Sequence, residues 1–132
     1  MVGPPTVDDY LVLRERTGLS PRREDQARIG LHGSWFAIHM IAETTTETVG
    51  MGRLSGDGGW YFHVVDMAVL PEQQRRGLGD VILTALLDRV RNHAPQGALV
   101  NLLADPPGRA LYARHGFVPT SPMSDGMALY LE

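Results

Sequence analysis

The stretch from Tyr61 to His93, YFHVVDMAVLPEQQRRGLGDVILTALLDRVRNH, constrains the fold more than any other part of the chain. Tyr61 to Leu70 is rich in aromatic and β-branched residues and ends at Pro71, whose missing amide hydrogen cannot continue a ladder, so a strand is predicted to stop there. From Leu78 the apolar residues recur as Leu78, Val81, Ile82, Ala85, Leu86 and Val90, the spacing of one helix face. Pro95 and Gly97 close that helix. The turn between the two carries Gln74-Arg75-Arg76-Gly77-Leu78-Gly79. Its glycines permit a sharp bend and remove side chains that would keep a ligand from the backbone. The first amides of a helix lack internal partners and carry partial positive charge, so an anion suits them. Arg75 and Arg76 add two cations able to pair with phosphate oxygens, and the whole reads as a diphosphate cradle.

Two well-known cradles are excluded. A P-loop needs a Lys-Ser or Lys-Thr pair after its second glycine, and this chain contains no lysine. A dinucleotide-binding turn needs a third glycine where Ile82 stands. What remains, Gln-x-x-Gly-x-Gly after a strand ending Asp66-Met67-Ala68-Val69, resembles the acetyl-coenzyme A loop of the GNAT N-acetyltransferase superfamily. A second block, Ala110-Leu111-Tyr112-Ala113-Arg114-His115-Gly116-Phe117, resembles that family's tyrosine and Gly-Phe segment in form, in the expected order and spacing.

The resemblance implies an α/β (α+β) fold with a mixed, mostly antiparallel sheet, a splayed parallel strand pair and flanking helices. It implies a single N-acetyltransferase domain over residues 1–132, which the length suits. Acetyl-coenzyme A is then the co-substrate, held by Met67, Ala68, Val69, Gln74, Arg75, Arg76, Gly77, Leu78, Gly79 and Asp80. The backbone amide near Met67 is where the family stabilises the thioester oxygen. Acetyl transfer needs a neutral amine, and an alkyl amine of pKa about 10.4 is almost wholly protonated at neutral pH, so a base is expected. His63 lies where histone-type relatives carry a glutamate base, and Asp66 where polyamine-type relatives carry an acid that contacts the acceptor. Tyr112 matches the tyrosine that meets the coenzyme sulfur and protonates the departing thiolate. Asp105 stands seven residues before it, where many relatives carry asparagine.

Elsewhere, Thr6 and Asp9 resemble a capping box opening a helix from Asp9 to Arg16, with Tyr10, Leu11 and Leu13 inward. Ser20-Pro21 reads as the start of a second helix through about Leu31. The family's first strand is barely present before them. Trp35 to Ala42 and Thr46 to Leu54 read as a hairpin, and Leu99 to Ala104 as a strand covered on both faces, parallel to the one ending at Leu70. Pro106 or Pro107 opens a last helix stopped by Gly116, and Phe117 to Pro119 and Met127 to Leu131 are expected to form a closing strand pair. Acceptor specificity is expected from the loops 30–34 and 120–125.

The remaining composition narrows the partners. With no cysteine the chain has no thiolate nucleophile, and the other histidines, His32, His39, His93 and His115, lack metal-ligand spacing, so no metal is expected. A net charge of −3 disfavours nucleic acid, and no apolar run approaches the length of a membrane span. The expectation is a cytoplasmic enzyme that acetylates a primary amine of a small molecule by direct attack in a ternary complex, with a homodimer among the assemblies relatives adopt. A coenzyme A-binding module without catalysis, and a protein or peptide acetyltransferase, are the alternatives.

Overall fold

A computed structural model of the chain describes residues 1–131. Two compact units divide it, residues 1–102 and 103–132. The first holds helices α1 (Val7–Arg16) and α2 (Glu24–His32), strands β1 (Phe36–Ile41), β2 (Thr48–Gly56) and β3 (Tyr61–Val69), helix α3 (Leu78–His93) and strand β4 (Leu99–Asn101). The four strands form one sheet in the order β1-β2-β3-β4, antiparallel except for the parallel β3–β4 pair. The strand, helix, parallel strand sequence from β3 through α3 to β4 is thus the crossover unit expected of Tyr61 to Ala104.

Both faces of the sheet are covered. On one side Tyr10 and Leu13 of α1 and Ala27 and Leu31 of α2 share a core with Val49, Met51 and Ala68. On the other, α3 packs Ile82, Leu83, Leu86, Leu87 and Val90 inward, all buried. A Cβ added to Gly52 would lie 2.6 Å from Ile82 Cγ2 and 2.7 Å from Met67 Sδ, so the missing side chain is what lets α3 approach β2 this closely. The doubly covered strand is therefore β2. The reading of Leu99 to Ala104 as such a strand is corrected: β4 ends at Asn101, and Leu99 is 45% exposed.

Capping explains the helix starts. Thr6 Oγ1 accepts from the Asp9 amide at 3.2 Å, so α1 begins at Val7, ahead of the expected start at Asp9. The second helix does not open at Ser20. The Arg23 amide donates to the Gln26 side chain at 3.0 Å, which starts α2 at Glu24, while Ser20 accepts from the Arg14 side chain instead. The expected first strand survives as a single bridge, Val2 to Ile38, with the Gly3 amide on the Ala37 carbonyl at 2.8 Å.

In the second unit, the two prolines at Pro106 and Pro107 open a 3-10 turn that leads into α4 (Arg109–Arg114), and Gly116 ends it at φ +92°. The closing strand pair is not formed: 117–119 and 127–131 carry no strand. β-propensity at Val118, Leu129 and Leu131 is insufficient without a neighbouring edge, because an isolated two-stranded ribbon is marginal in water. These side chains are largely exposed.

Candidate functional site

The start of α3 is open. Gly77 is its N-cap in the left-handed conformation, φ +78°, and no side chain caps the first amides. The first intrahelical bond from this end runs from the Val81 amide to the Gly77 carbonyl, which leaves the Leu78 and Gly79 amides without helical partners. A Cβ built on Gly77 would meet nothing within 4 Å. Arg75 also has positive φ, +65°, so two left-handed residues two apart turn the chain into the helix. Gln74 anchors the loop by donating from Nε2 to the Val69 carbonyl at 2.9 Å. Arg75, Arg76 and Gly77 are exposed. An exposed N-terminus flanked by two guanidinium groups fits a diphosphate.

Beside the cradle, β3 has a broken ladder on both edges. Toward β2, Met51 pairs with Ala68 and Arg53 with Val65, so two residues, Asp66 and Met67, oppose Gly52 alone. Asp66 takes φ +57° to accommodate the extra residue. Toward β4, pairing covers only Tyr61 with Leu99, Phe62 with Val100 and His63 with Asn101. Beyond His63, the segment up to Val69 has no strand partner on that edge among the described residues, which is the splayed gap the sequence resemblance implies. Met67, Ala68 and Val69 lie along it, as does the approach to Gln74.

At the mouth of the gap stands His63. Its Nδ1 lies 2.7 Å from Asn101 Oδ1, and Asn101 Nδ2 donates to the Tyr61 hydroxyl at 2.9 Å. With Oδ1 facing the ring, Asn101 accepts and a neutral imidazole carries its proton on Nδ1. The lone pair is then on Nε2. Asn101 escaped the sequence reading, because a single asparagine in a short apolar run carries no spacing signal.

Asp66 is engaged on all sides. It accepts from the Tyr10 hydroxyl at 2.7 Å, Arg14 Nη1 at 2.5 Å and Arg53 Nε at 2.6 Å. Its side chain is 11% exposed, that of Arg14 6% and that of Arg53 19%. Burial by itself pushes the carboxyl pKa up, but the Arg53 charge, the hydrogen bonds from Tyr10 and Arg53, and the Arg14 charge outweigh it and hold the group below the usual carboxylate range. Burial and the bond to Asp66 push the Tyr10 phenol up, so it stays neutral. A carboxylate with three donors and a depressed pKa is a poor proton acceptor near neutrality, which sets Asp66 apart from His63. Neither Arg14 nor Arg53 was singled out from the sequence; the one available signal is that Arg14 follows Tyr10 by four residues, on the buried face of α1.

Tyr112 lies in the second unit. Its ring packs edge-on against Phe117 with centroids 5.9 Å apart, and a Cβ on Gly108 would press on it at 2.9 Å. Burial and, after it, the Asp105 charge push its phenol pKa up, and no hydrogen bond among the described residues engages the hydroxyl. A protonated, unengaged phenol is what a proton donor requires. Asp80 falls in the first turn of α3, where a carboxylate complements the helix dipole. Among the described residues no group of three or more potential ligands is placed to hold a metal ion, and no helix is long and apolar enough to cross a membrane.

An amide-lined helix start following a bulged, partly unpaired strand is the local architecture the GNAT resemblance implies, and comparison with known proteins decides the family. Residues 28–126 match the profile described as an acetyltransferase (GNAT) domain. The chain belongs to this GNAT acetyltransferase family. It is 27% identical over 120 residues to a protein of Porphyra purpurea described as an uncharacterized N-acetyltransferase, covering 89% of this chain and 68% of that one. A crystal structure from meticillin-resistant Staphylococcus aureus, described as a protein of unknown function and probable acetyltransferase, is 35% identical with a TM-score of 0.93, covering 99% of this chain and 97% of that one. The glucosamine-6-phosphate N-acetyltransferase of Arabidopsis thaliana shares the fold, with a TM-score of 0.72 at 14% identity over 100% of this chain and 98% of that one. This GNAT chain is thus an acyltransferase by family, with the fold class its sequence implied.

Proposed function

We propose that this GNAT protein transfers an acetyl group from acetyl-coenzyme A to a primary amine of a small molecule, by direct attack in a ternary complex. The observation that carries the reading is the uncapped, exposed start of α3 between Arg75 and the unpaired edge of β3. Leu78 and Gly79 offer amides to a pyrophosphate, and Arg75 and Arg76 offer charge. The chain from Met67 to Val69 offers backbone groups to an extended pantetheine arm. When bound, acetyl-coenzyme A supplies the acetyl group as a thioester.

Each side chain then has a distinct task. His63 Nε2 takes the proton from the ammonium form of the acceptor, directly or through water, with Asn101 holding the tautomer. The backbone at the Asp66–Met67 bulge directs an amide at the thioester oxygen, and such a fixed donor contributes about 3 kcal/mol. Tyr112 donates its proton to the departing thiolate, whose pKa resembles the roughly 8.5 of a cysteine thiol. Asp66 remains ionised and positions Arg53 and Tyr10, a role in acceptor contact rather than proton transfer.

The test is coenzyme A release from acetyl-coenzyme A with a panel of small amines. Turnover that Tyr112→Phe abolishes supports the enzyme. Tight coenzyme binding without turnover on any amine makes the chain a non-catalytic binding module. Unchanged coenzyme affinity by calorimetry in Arg75→Ala and Arg76→Ala removes the cradle.

A further inference from the structure

The end of the described chain is apolar and uncovered. Val118, Met123, Met127, Leu129, Tyr130 and Leu131 are each between 79% and 94% exposed, and residues 127–131 lie in neither helix nor strand. Single exposed apolar side chains are ordinary on a protein surface, but a run of this density marks a surface that another one covers. The run is also strand-prone. Successive side chains of a strand alternate, so Met127, Leu129 and Leu131 would form one apolar row. The sheet, for its part, has one edge filled and one open. At β1 the Gly3 amide bonds the Ala37 carbonyl and the His39 amide the Met1 carbonyl, which covers that edge. β4 pairs with β3 alone, and no strand among the described residues lies on its other side. The Leu99 amide is turned inward, to the Trp60 carbonyl at 2.6 Å, so the Val100 amide, next along, faces the open edge. Natural edges are blunted with charge, proline or a bulge, and Leu99-Val100-Asn101 has none of these.

An edge lacking a strand and a strand-prone segment lacking an edge, in the same chain, are complementary surfaces. Two copies related by a two-fold axis satisfy both at once, because each gives its segment to the other. We infer that the protein is a homodimer in which residues 127–131 of one copy pair as a strand with β4 of the second. The swap supplies what residues 127–131 lack in the single chain, a neighbouring edge, and so accounts for a β-propensity that produces no strand there. Main-chain bonds give the pairing its register, and the row of Met127, Leu129 and Leu131 gives it buried apolar surface. β4 also carries Asn101, so each copy's segment braces the strand that holds the proposed base of the other. The inference stands on exposure and strand pairing and is independent of acetyl transfer.

Analytical ultracentrifugation of the full chain across a dilution series tests it. Wild type should sediment at twice the single-chain mass of 14.5 kDa. Leu129→Asp and, separately, Leu131→Asp place a charge in the apolar row, and each should return the protein to the single-chain mass. Both residues are exposed in the single chain, so neither change should unfold it, which far-UV circular dichroism checks. Ile29→Asp, at an exposed position on α2, should leave the dimer intact. Amide hydrogen exchange locates the contact: the Val100 amide should exchange at least about tenfold faster in Leu129→Asp than in wild type, since it loses its hydrogen-bond partner. If an aspartate variant unfolds, Val100 in wild type decides, faster exchange on dilution supporting the swap and a rate independent of concentration overturning it. Wild type at the single-chain mass throughout overturns the inference. A dimer that survives both aspartate variants, that Ile29→Asp dissociates, or that dissociates with no change at Val100 has its interface elsewhere and overturns the swap.

Discussion

Asp66 shows how one residue is committed to structure by its partners. Breaking a buried ion pair by removing one charge costs about 3 kcal/mol or more, because the remaining charges lose their compensation. Asp66→Asn presents an amide to two guanidinium groups, so it should destabilise the protein by about that amount in urea unfolding. The pH dependence follows from the depressed pKa. A carboxyl whose folded pKa lies below its unfolded value of about 3.9 contributes stability that is complete above that value and is lost as pH falls through the folded one. Wild type should therefore lose stability below about pH 4 more steeply than Asp66→Asn, and parallel acid profiles would show that Asp66 is not the group concerned. His63 is the opposite case, with one nitrogen held by Asn101 and one unassigned. His63→Gln should lower kcat about 100-fold with little change in unfolding free energy, whereas a rate equal to wild type would make water or another group the base.

At the scale of elements, α3 shows what the sequence disclosed and what it withheld. Its bounds were legible because proline and glycine punctuate both ends. Its buried face was only half legible: Ile82, Leu86 and Val90 are inside as expected, but Val81 is 53% exposed and Leu83 and Leu87 are buried instead. The cause is that α3 lies across β1, β2 and β3, so the arc it buries is wider than the single stripe its spacing marks, a long-range effect no local pattern contains. The sharp turn into α3 was legible because its geometry is local to six residues. The Arg53–Asp66–Arg14 cluster was not, because it joins residues up to 52 apart in the chain that share no motif. Two glycine substitutions separate backbone strain from packing. In Gly77→Ala the new methyl meets no atom, so the cost is the left-handed backbone alone, about 1 kcal/mol, together with weaker coenzyme binding by calorimetry. Gly52→Ala forces a methyl against Ile82 and Met67 and should cost about 1–3 kcal/mol in thermal unfolding while leaving the cradle's sequence intact.

Across the whole molecule, burial and chemistry are distributed unevenly along the chain. Every fully buried apolar side chain among the described residues lies at or before Val90, whereas the proposed proton donor, Tyr112, lies in the second unit. The hydrophobic core that drives folding is therefore complete within residues 1–102, and so are the α3 turn, the bulge, His63 and the Arg14–Arg53–Asp66 cluster. A chain ending at Leu102 is expected to unfold cooperatively and to retain coenzyme A binding through Arg75, Arg76 and the α3 amides. Its acetyl transfer should fall about 100-fold or more, because a thiolate must then leave without an acid. Full-length Tyr112→Phe should show the same loss of rate with unchanged coenzyme affinity. If the shortened chain lacks a cooperative melting transition, residues 103–132 contribute stability that their exposure does not disclose. If it folds and acetylates at the full rate, Tyr112 is not the proton donor.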